Sequence, residues 1–312
     1  MGCTDHVLAI APTTGAARPQ ENTLSSFKAA LTAPVLADWI ETDLIRTHDD
    51  RIVLIHSTEI AQHVALAHRP SDTLYIDDLN FDQIGTLKLG PDGSARIPAL
   101  QELIALVGTL RPESDADLVL NLEIKDVQDA PCPRRQPTLG SLALQELSVL
   151  NFPLQRVRFS SFSLEAIADL GARAPQARLG MLFNVLPHEY SNPGHQLFSD
   201  SPEQSISFTP QNIATILARV PQLEALHPEI QTLTPATVAL AARHHLAIAT
   251  WAWFEESPLQ SAKFAAATRQ ALDLCQAADV PLTFITDHIV DLRRFTQDYL
   301  KENPSGAQPR QA

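Results

Sequence analysis

Cysteine is scarce in this chain: Cys3, Cys132 and Cys275 are the only three among 312 residues. Their number is odd and none stands at metal-ligand spacing from another. That points to a reducing, cytoplasmic setting and away from a disulfide framework or a thiolate metal site. Positive charge is short as well, with 23 Lys and Arg against 36 Asp and Glu and a formal net charge of -13. This balance argues against nucleic acid or an anionic membrane surface as a partner. It also makes a phosphate-bearing substrate awkward unless a bound cation or a local Lys or Arg inverts the field at the site. No run of about 18 apolar residues occurs and the N-terminus has no apolar signal core, so neither a membrane span nor a signal peptide is expected. Met1-Gly2-Cys3 opens like a lipidation signal, but His6 stands where that pattern wants Ser or Thr. Apolar residues make up 45% and charged residues 19%. Such a soluble chain can build two domains or one large α/β barrel.

The organising stretch is residues 39 to 56, which alternate on both sides of an Asp49-Asp50 centre. That pattern reads as a hairpin with a tight turn. With the two central Asp in the turn, Asp43 is expected directly across from His56. Glu41 precedes Asp43 by two residues, so both carboxylates point to one side of the strand. Paired carboxylates suit a hard divalent cation such as Mg2+ or Ca2+, and a neighbouring His can move protons. An exposed hairpin face has the same pattern, so this stretch alone does not choose.

Along the chain, apolar runs alternate with helical periodicity. Strands are expected at 7–11, 38–43, 118–124, 156–160, 177–183, 222–227, 246–252 and 282–286. Helices are expected after them, ending with 258–278 and 289–301. Residues 57 to 97 read as irregular, with a weak helix near 79–87. Eight strand–helix units imply an α/β fold, a single (β/α)8 TIM barrel over residues 1–301, with the hairpin at about 39–56 rising from the end of strand 2. Residues 302–312 read as a disordered tail. Active sites of this fold lie at the C-terminal strand ends. Those ends carry Glu41 and Asp43, Glu123 and Lys125, then His227, Trp251, Trp253 and Asp287. Together they suit a cation, an anionic group and a flat or apolar moiety.

These residues also resemble the glycerophosphodiester phosphodiesterase family from Val7 to about Phe295. Glu21-Asn22-Thr23-Leu24 with Phe27 is similar to the family's P-E-N-T opening, and Ile40-Glu41-Thr42-Asp43-Leu44 to its E-L-D-V strand. Thr47-His48-Asp49-Asp50 through His56 is similar to its hairpin return. Arg96-Ile97-Pro98-Ala99-Leu100, Leu122-Glu123-Ile124-Lys125, Phe159-Ser160-Ser161-Phe162, Arg178-Leu179-Gly180, Trp251 and Ile285-Thr286-Asp287 follow in the family's order. The resemblance implies metal-dependent hydrolysis of glycerophosphodiesters to glycerol 3-phosphate and an alcohol, an activity of lipid metabolism. Glu41, Asp43 and Glu123 would be the metal carboxylates and His56 an acid/base histidine. Lys125 would contact the phosphate, and Trp251 either holds the glycerol moiety or fills the core.

One departure stands out. The family's first strand ends in His-Arg-Gly, with the His nine residues before the motif Glu; here that position is Pro12, followed by Thr13-Thr14. A second acid/base His and a phosphate-binding Arg are therefore missing. Arg18 could reach the phosphate from its loop, whereas His63, His68, His188 and His195 read as solvated loop residues. Ser57 replaces the family's Asp after His56, and Phe254 its Asn near the end of strand 7. Neither the released alcohol, the cation nor the oligomeric state is selected by the sequence. Three readings stay open: a phosphodiesterase with altered chemistry, an inactive relative that binds a metal or phosphodiester in a regulatory role, and a barrel enzyme of other chemistry on the same residues.

Overall fold

The computed structural model describes residues 6–9, 21–32, 38–111 apart from 58, 62, 66, 68, 70 and 91, then 118–125, 136–183, 206–252 and 257–303. Its elements follow in chain order. β1 (His6–Ala9) leads to α1 (Leu24–Thr32), and β2 (Trp39–Arg46) to β3 (Ile52–Leu54), α2 (Phe81–Thr86) and α3 (Leu100–Leu110). Strand–helix pairs then repeat: β4 (Val119–Ile124) with α4 (Leu139–Val149), β5 (Val157–Ser161) with α5 (Leu164–Arg173), and β6 (Arg178–Leu182) with α6 (Pro210–Arg219). β7 (Ala225–His227) with α7 (Pro235–Arg243), β8 (Ala247–Trp251) with α8 (Ala262–Ala278), and β9 (Leu282–Thr286) with α9 (Ile289–Glu302) complete the series.

Eight parallel strands form one curled sheet in the order β1-β9-β8-β7-β6-β5-β4-β2, and β1 also pairs with β2 through Leu8–Trp39 and Ala9–Ile40. Helix starts sit where local chemistry places them. Thr138, Ser163, Thr209, Thr234 and Ser261 each cap an N-terminus by accepting a backbone N–H, and Pro210 and Pro235 open two of these helices. The Ser261 cap also explains why α8 begins at Ala262 rather than 258. The main core lies between the strands' outer faces and the helices, with Ile40, Leu120, Leu122, Phe159, Leu179 and Met181 fully buried. A small inner cluster of Trp39, Val119, Ala249 and Ile285 fills the space the sheet encloses.

The stretch 57–97 is irregular apart from short turns and α2, which is the helix expected near 79–87, and it still carries a core of its own: Ile60, Val64, Ile76, Ile84, Leu89 and Ile97 pack against Ile45, Val53 and Ile55 of the hairpin. One expectation changes. The hairpin register differs by one residue. Leu44 pairs with Leu54, and Ile55 N donates to Asp43 O at 3.2 Å, so Asp43 faces Ile55 and not His56. The turn is the cause. Asp50 takes a φ of 62° and donates its N–H to Thr47 O, closing a three-residue loop instead of a two-residue one. His56 lies in a bend just past β3. Pro12, Arg18, His68, His188, His195, Trp253, Phe254 and residues 304–312 of the tail lie outside the described residues. Among the described residues no helix is long and apolar enough to cross a membrane.

Candidate functional site

Parallel pairing of β2 with β4 sets the site. Asp43 is in register with Glu123 and Glu41 with Asn121, so four inward side chains of two adjacent strands meet at the mouth of the curled sheet. One carboxylate oxygen from each of Glu41, Asp43 and Glu123 lies within 4.8 Å of the others, and all three residues are buried. Lys125, just past β4, bridges them, with its Nζ 3.0 Å from Asp43 Oδ1 and 2.6 Å from Glu123 Oε1.

Asn22 holds the second oxygen of Asp43. Its amide donates to Asp43 Oδ2 at 2.9 Å, and its carbonyl accepts from Thr42 Oγ1 at 2.6 Å. To do this Asn22 adopts a φ of 53°, a left-handed backbone that Asn tolerates better than most residues. The motif residues before α1 thus act on β2, a role no spacing rule along the chain reveals.

The charges do not balance by themselves. Burial, then Asp43 and Glu123, pushes the Glu41 carboxyl well above the usual range. Burial also pushes Glu123 up to about 7, against the pull of Lys125. For Asp43 burial works upward too, but Lys125, His56 and the hydrogen bonds from Lys125 and Asn22 outweigh it and hold the carboxyl low. Lys125 is correspondingly pushed up: burial opposes its charge, and Asp43 and Glu123 more than offset that. Without a cation, then, Asp43 and Lys125 form the ion pair while Glu41 and Glu123 tend to keep their protons.

His56 is half-buried beside this group. Burial first, then Lys125, takes its imidazole down to about 4, with Asp43 opposing and His63 adding to the shift. His63 is therefore not the solvated loop residue its sequence context suggests. It is half-buried in the satellite core segment, near enough for its charge to act on His56. Glu21 is a second residue that spacing alone did not single out. Although exposed, it is pushed up to about 7, by desolvation first and then by Asp43 and Asp287, with Lys125 opposing.

Trp251 ends β8 half-buried at the rim of the inner cluster. Its Nε1 donates to His227 O at 3.0 Å, and its ring meets Phe162 edge-on at 6.1 Å. His227 itself is buried on the inner face. Phe159, Leu179 and Ile285 are core, as expected of their apolar runs, whereas Phe162, expected with them, is half-buried against Trp251.

The three carboxylates form a hard-oxygen set of the kind that binds Mg2+ or Ca2+, and among the described residues they are the one group placed to hold a metal ion. The residues present fit such a cation.

The Glycerophosphoryl diester phosphodiesterase family profile matches residues 13–273, beginning one position after Pro12. A glycerophosphodiester phosphodiesterase of Caldanaerobacter subterraneus subsp. tengcongensis is 27% identical over 168 residues, covering 52% of this chain and 61% of that protein. Among solved structures, a candidate glycerophosphodiester phosphodiesterase of Galdieria sulphuraria superposes with a TM-score of 0.70 at 22% identity, over 94% of this chain and 98% of that one. An Oleispira antarctica phosphodiesterase, solved with its product sn-glycerol-3-phosphate, gives 0.61 at 17% identity over 94% and 96%. These two structural likenesses speak to the fold, and the family match covers most of the sequence. The chain belongs to the glycerophosphoryl diester phosphodiesterase family.

Proposed function

We propose that this protein hydrolyses glycerophosphodiesters to glycerol 3-phosphate and an alcohol, using a divalent cation, Mg2+ or Ca2+, held by Glu41, Asp43 and Glu123. The observation that carries this reading is the buried carboxylate triad with Lys125 inserted between Asp43 and Glu123. In a chain of net charge -13, that is where a phosphate anion can find positive charge. A bound cation supplies Lewis-acid polarisation of a phosphoryl oxygen and offsets its charge. Lys125 adds a fixed point charge to the same side. His56, taken down to about 4, stands neutral at neutral pH and so can accept a proton from the attacking oxygen. Trp251, braced by Phe162 and by the His227 carbonyl, offers a flat wall to the glycerol moiety. We read the curled sheet as a closed (β/α)8 barrel, which the β1–β2 pairing supports, and the setting as cytoplasmic.

Pro12 favours a second reading, because the family's His stands at that position: a relative that binds the cation and the phosphodiester without turning it over. One experiment separates the two. Purified protein is incubated with glycerophosphocholine or glycerophosphoethanolamine, with and without Mg2+ or Ca2+, and glycerol 3-phosphate is followed. Cation-dependent turnover that disappears in both Glu41→Ala and His56→Ala establishes the hydrolase. No turnover, with a cation still raising the melting temperature of wild type but not of Glu41→Ala, establishes the binding protein.

A further inference from the structure

Below the acidic mouth, the space enclosed by the sheet has a basic floor. Arg158 and Arg178 share one carboxylate, that of Glu224, through contacts of 2.9 and 2.7 Å to its Oε1. Both guanidinium groups lie over the ring of Trp39, their central carbons 4.2 and 5.0 Å from its centroid. Among the described residues two cations meet one anion here, an excess of positive charge, and Arg158 is 2% exposed. Among the described residues only its Nη2 finds a partner; Nε and Nη1 are buried without one. The same is true of both ring nitrogens of His227, 1% exposed, and of Oδ1 of Asn121, also 1% exposed.

These groups share the inner face. Asn121 is in register with Arg158, Ser160 with Gly180, and Gly180 with Ala225, two residues before His227. Gly180 gives up its side-chain volume here: a Cβ would come within 2.4 Å of His227 Nε2. Arg158 is also close enough that its charge, after burial, helps hold His227 well below the imidazole range.

Buried charged and polar groups are rarely left bare, because desolvation without a partner is costly. The donor count decides what fills the gap. Arg158 offers three N–H groups, one on Nε and two on Nη1, and a neutral His227 offers one. The Asn121 amide hydrogen-bonds Ser160 Oγ at 2.9 Å, and Ser160 can either donate or accept. Turned about its axis, the amide accepts that bond through Oδ1 and points its NH2 at the gap. A water there has two hydrogens to place and one remaining acceptor, the unprotonated nitrogen of His227. An acceptor-only guest suits the donor excess and the positive charge together.

We propose a buried binding site for a small monovalent anion of chloride type, held by Arg158, His227 and Asn121 beneath the candidate metal site. It sits on the same sheet interior as Glu41 and Asp43 but uses none of their atoms. The site gives Arg158 a second counter-charge, beside the His227 ring that Gly180 makes room for.

Crystals of the wild-type protein soaked in bromide test this directly. An anomalous peak within hydrogen-bond distance of Arg158 Nε or Nη1 and of His227 is the expected result. Ordered water without anomalous signal, or an empty gap, overturns the proposal. Thermal melting in chloride against gluconate, at matched ionic strength, guards against an adventitious ion only. Chloride is expected to raise the melting temperature of wild type by about 2 °C or more, and to lose that effect in Arg158→Met. If that variant does not fold, His227→Phe takes its place. A bromide peak in the crystal with no chloride-specific rise in wild type counts as an adventitious ion and overturns the site.

Discussion

Asn22 donates its side-chain amide to Asp43 Oδ2 across 2.9 Å, joining the segment before α1 to the carboxylate that also pairs with Lys125. This contact holds the Asp43 oxygen that Lys125 does not, so both edges of the carboxylate are fixed.

Removing that contact tests its role. Asn22→Ala is expected to cost about 1–3 kcal/mol, the range for a buried hydrogen bond to a charged group, and somewhat more because alanine resists the left-handed backbone there. Asn22→Gly accepts that backbone and is expected to melt higher than Asn22→Ala. Both variants should bind the cation more weakly by calorimetry. Unchanged cation affinity in the glycine variant would mean that Asn22 supports the chain and not the site.

The raised carboxyls make cation binding depend on pH. Glu123 has a folded value of about 7 against 4.5 for the free group. The fold therefore binds its proton more tightly than the unfolded chain does. The Glu123 contribution to metal-free stability is full below about pH 4.5 and lost as pH rises through about 7, while that of His56, taken down to about 4, runs the other way up to about 6.5. A divalent cation displaces the Glu123 proton, so the rise in melting temperature it causes should grow across the same window. Melting curves in chelator and in Mg2+ or Ca2+ across that range check this. A cation-induced rise that stays flat with pH would rule out proton release from Glu123.

Among the described residues Lys125 is the one cation paired with the triad's carboxylates, and its side chain is nearly buried. Lys125→Met should destabilise the metal-free protein by about 3–5 kcal/mol, the usual result of stripping one partner from a buried pair. Saturating cation should recover much of that loss, since it supplies the missing positive charge. Denaturant titrations with and without Mg2+ measure both parts, and a loss that the cation leaves untouched contradicts the assignment.

Gly180 is needed for volume, not for backbone freedom. Gly180→Ala places a methyl against the His227 ring and should cost about 1–3 kcal/mol through overpacking. The double change Gly180→Ala with His227→Ala should cost less than the sum of the two single changes. Strict additivity in a double-mutant cycle would show that the two residues do not press on each other.

Much of the architecture was legible in the residues themselves, because secondary structure answers to local rules. Period-two alternation marks Trp39–Arg46 and Val119–Ile124 as strands, and Thr or Ser followed by a periodic apolar face marks most helix starts. The two-residue spacing of Glu41 and Asp43 puts both on one side of β2 without any knowledge of the fold.

Tertiary structure decided whatever depends on neighbours far away in the chain. It set the hairpin register, through the left-handed Asp50 that adds a residue to the turn and takes Asp43 from His56 to Ile55. It gathered the stretch 57–97 into a core of its own, where scattered apolar residues have no local period to announce them. It also brought Asn22, Glu21 and His63 to bear on the site, and turned Arg158 inward onto Trp39, where a charged residue on a strand would ordinarily face water. Pattern along the chain reports which face a side chain takes. Which groups share that face, and hence which charges must compensate one another, is settled only when the strands pair.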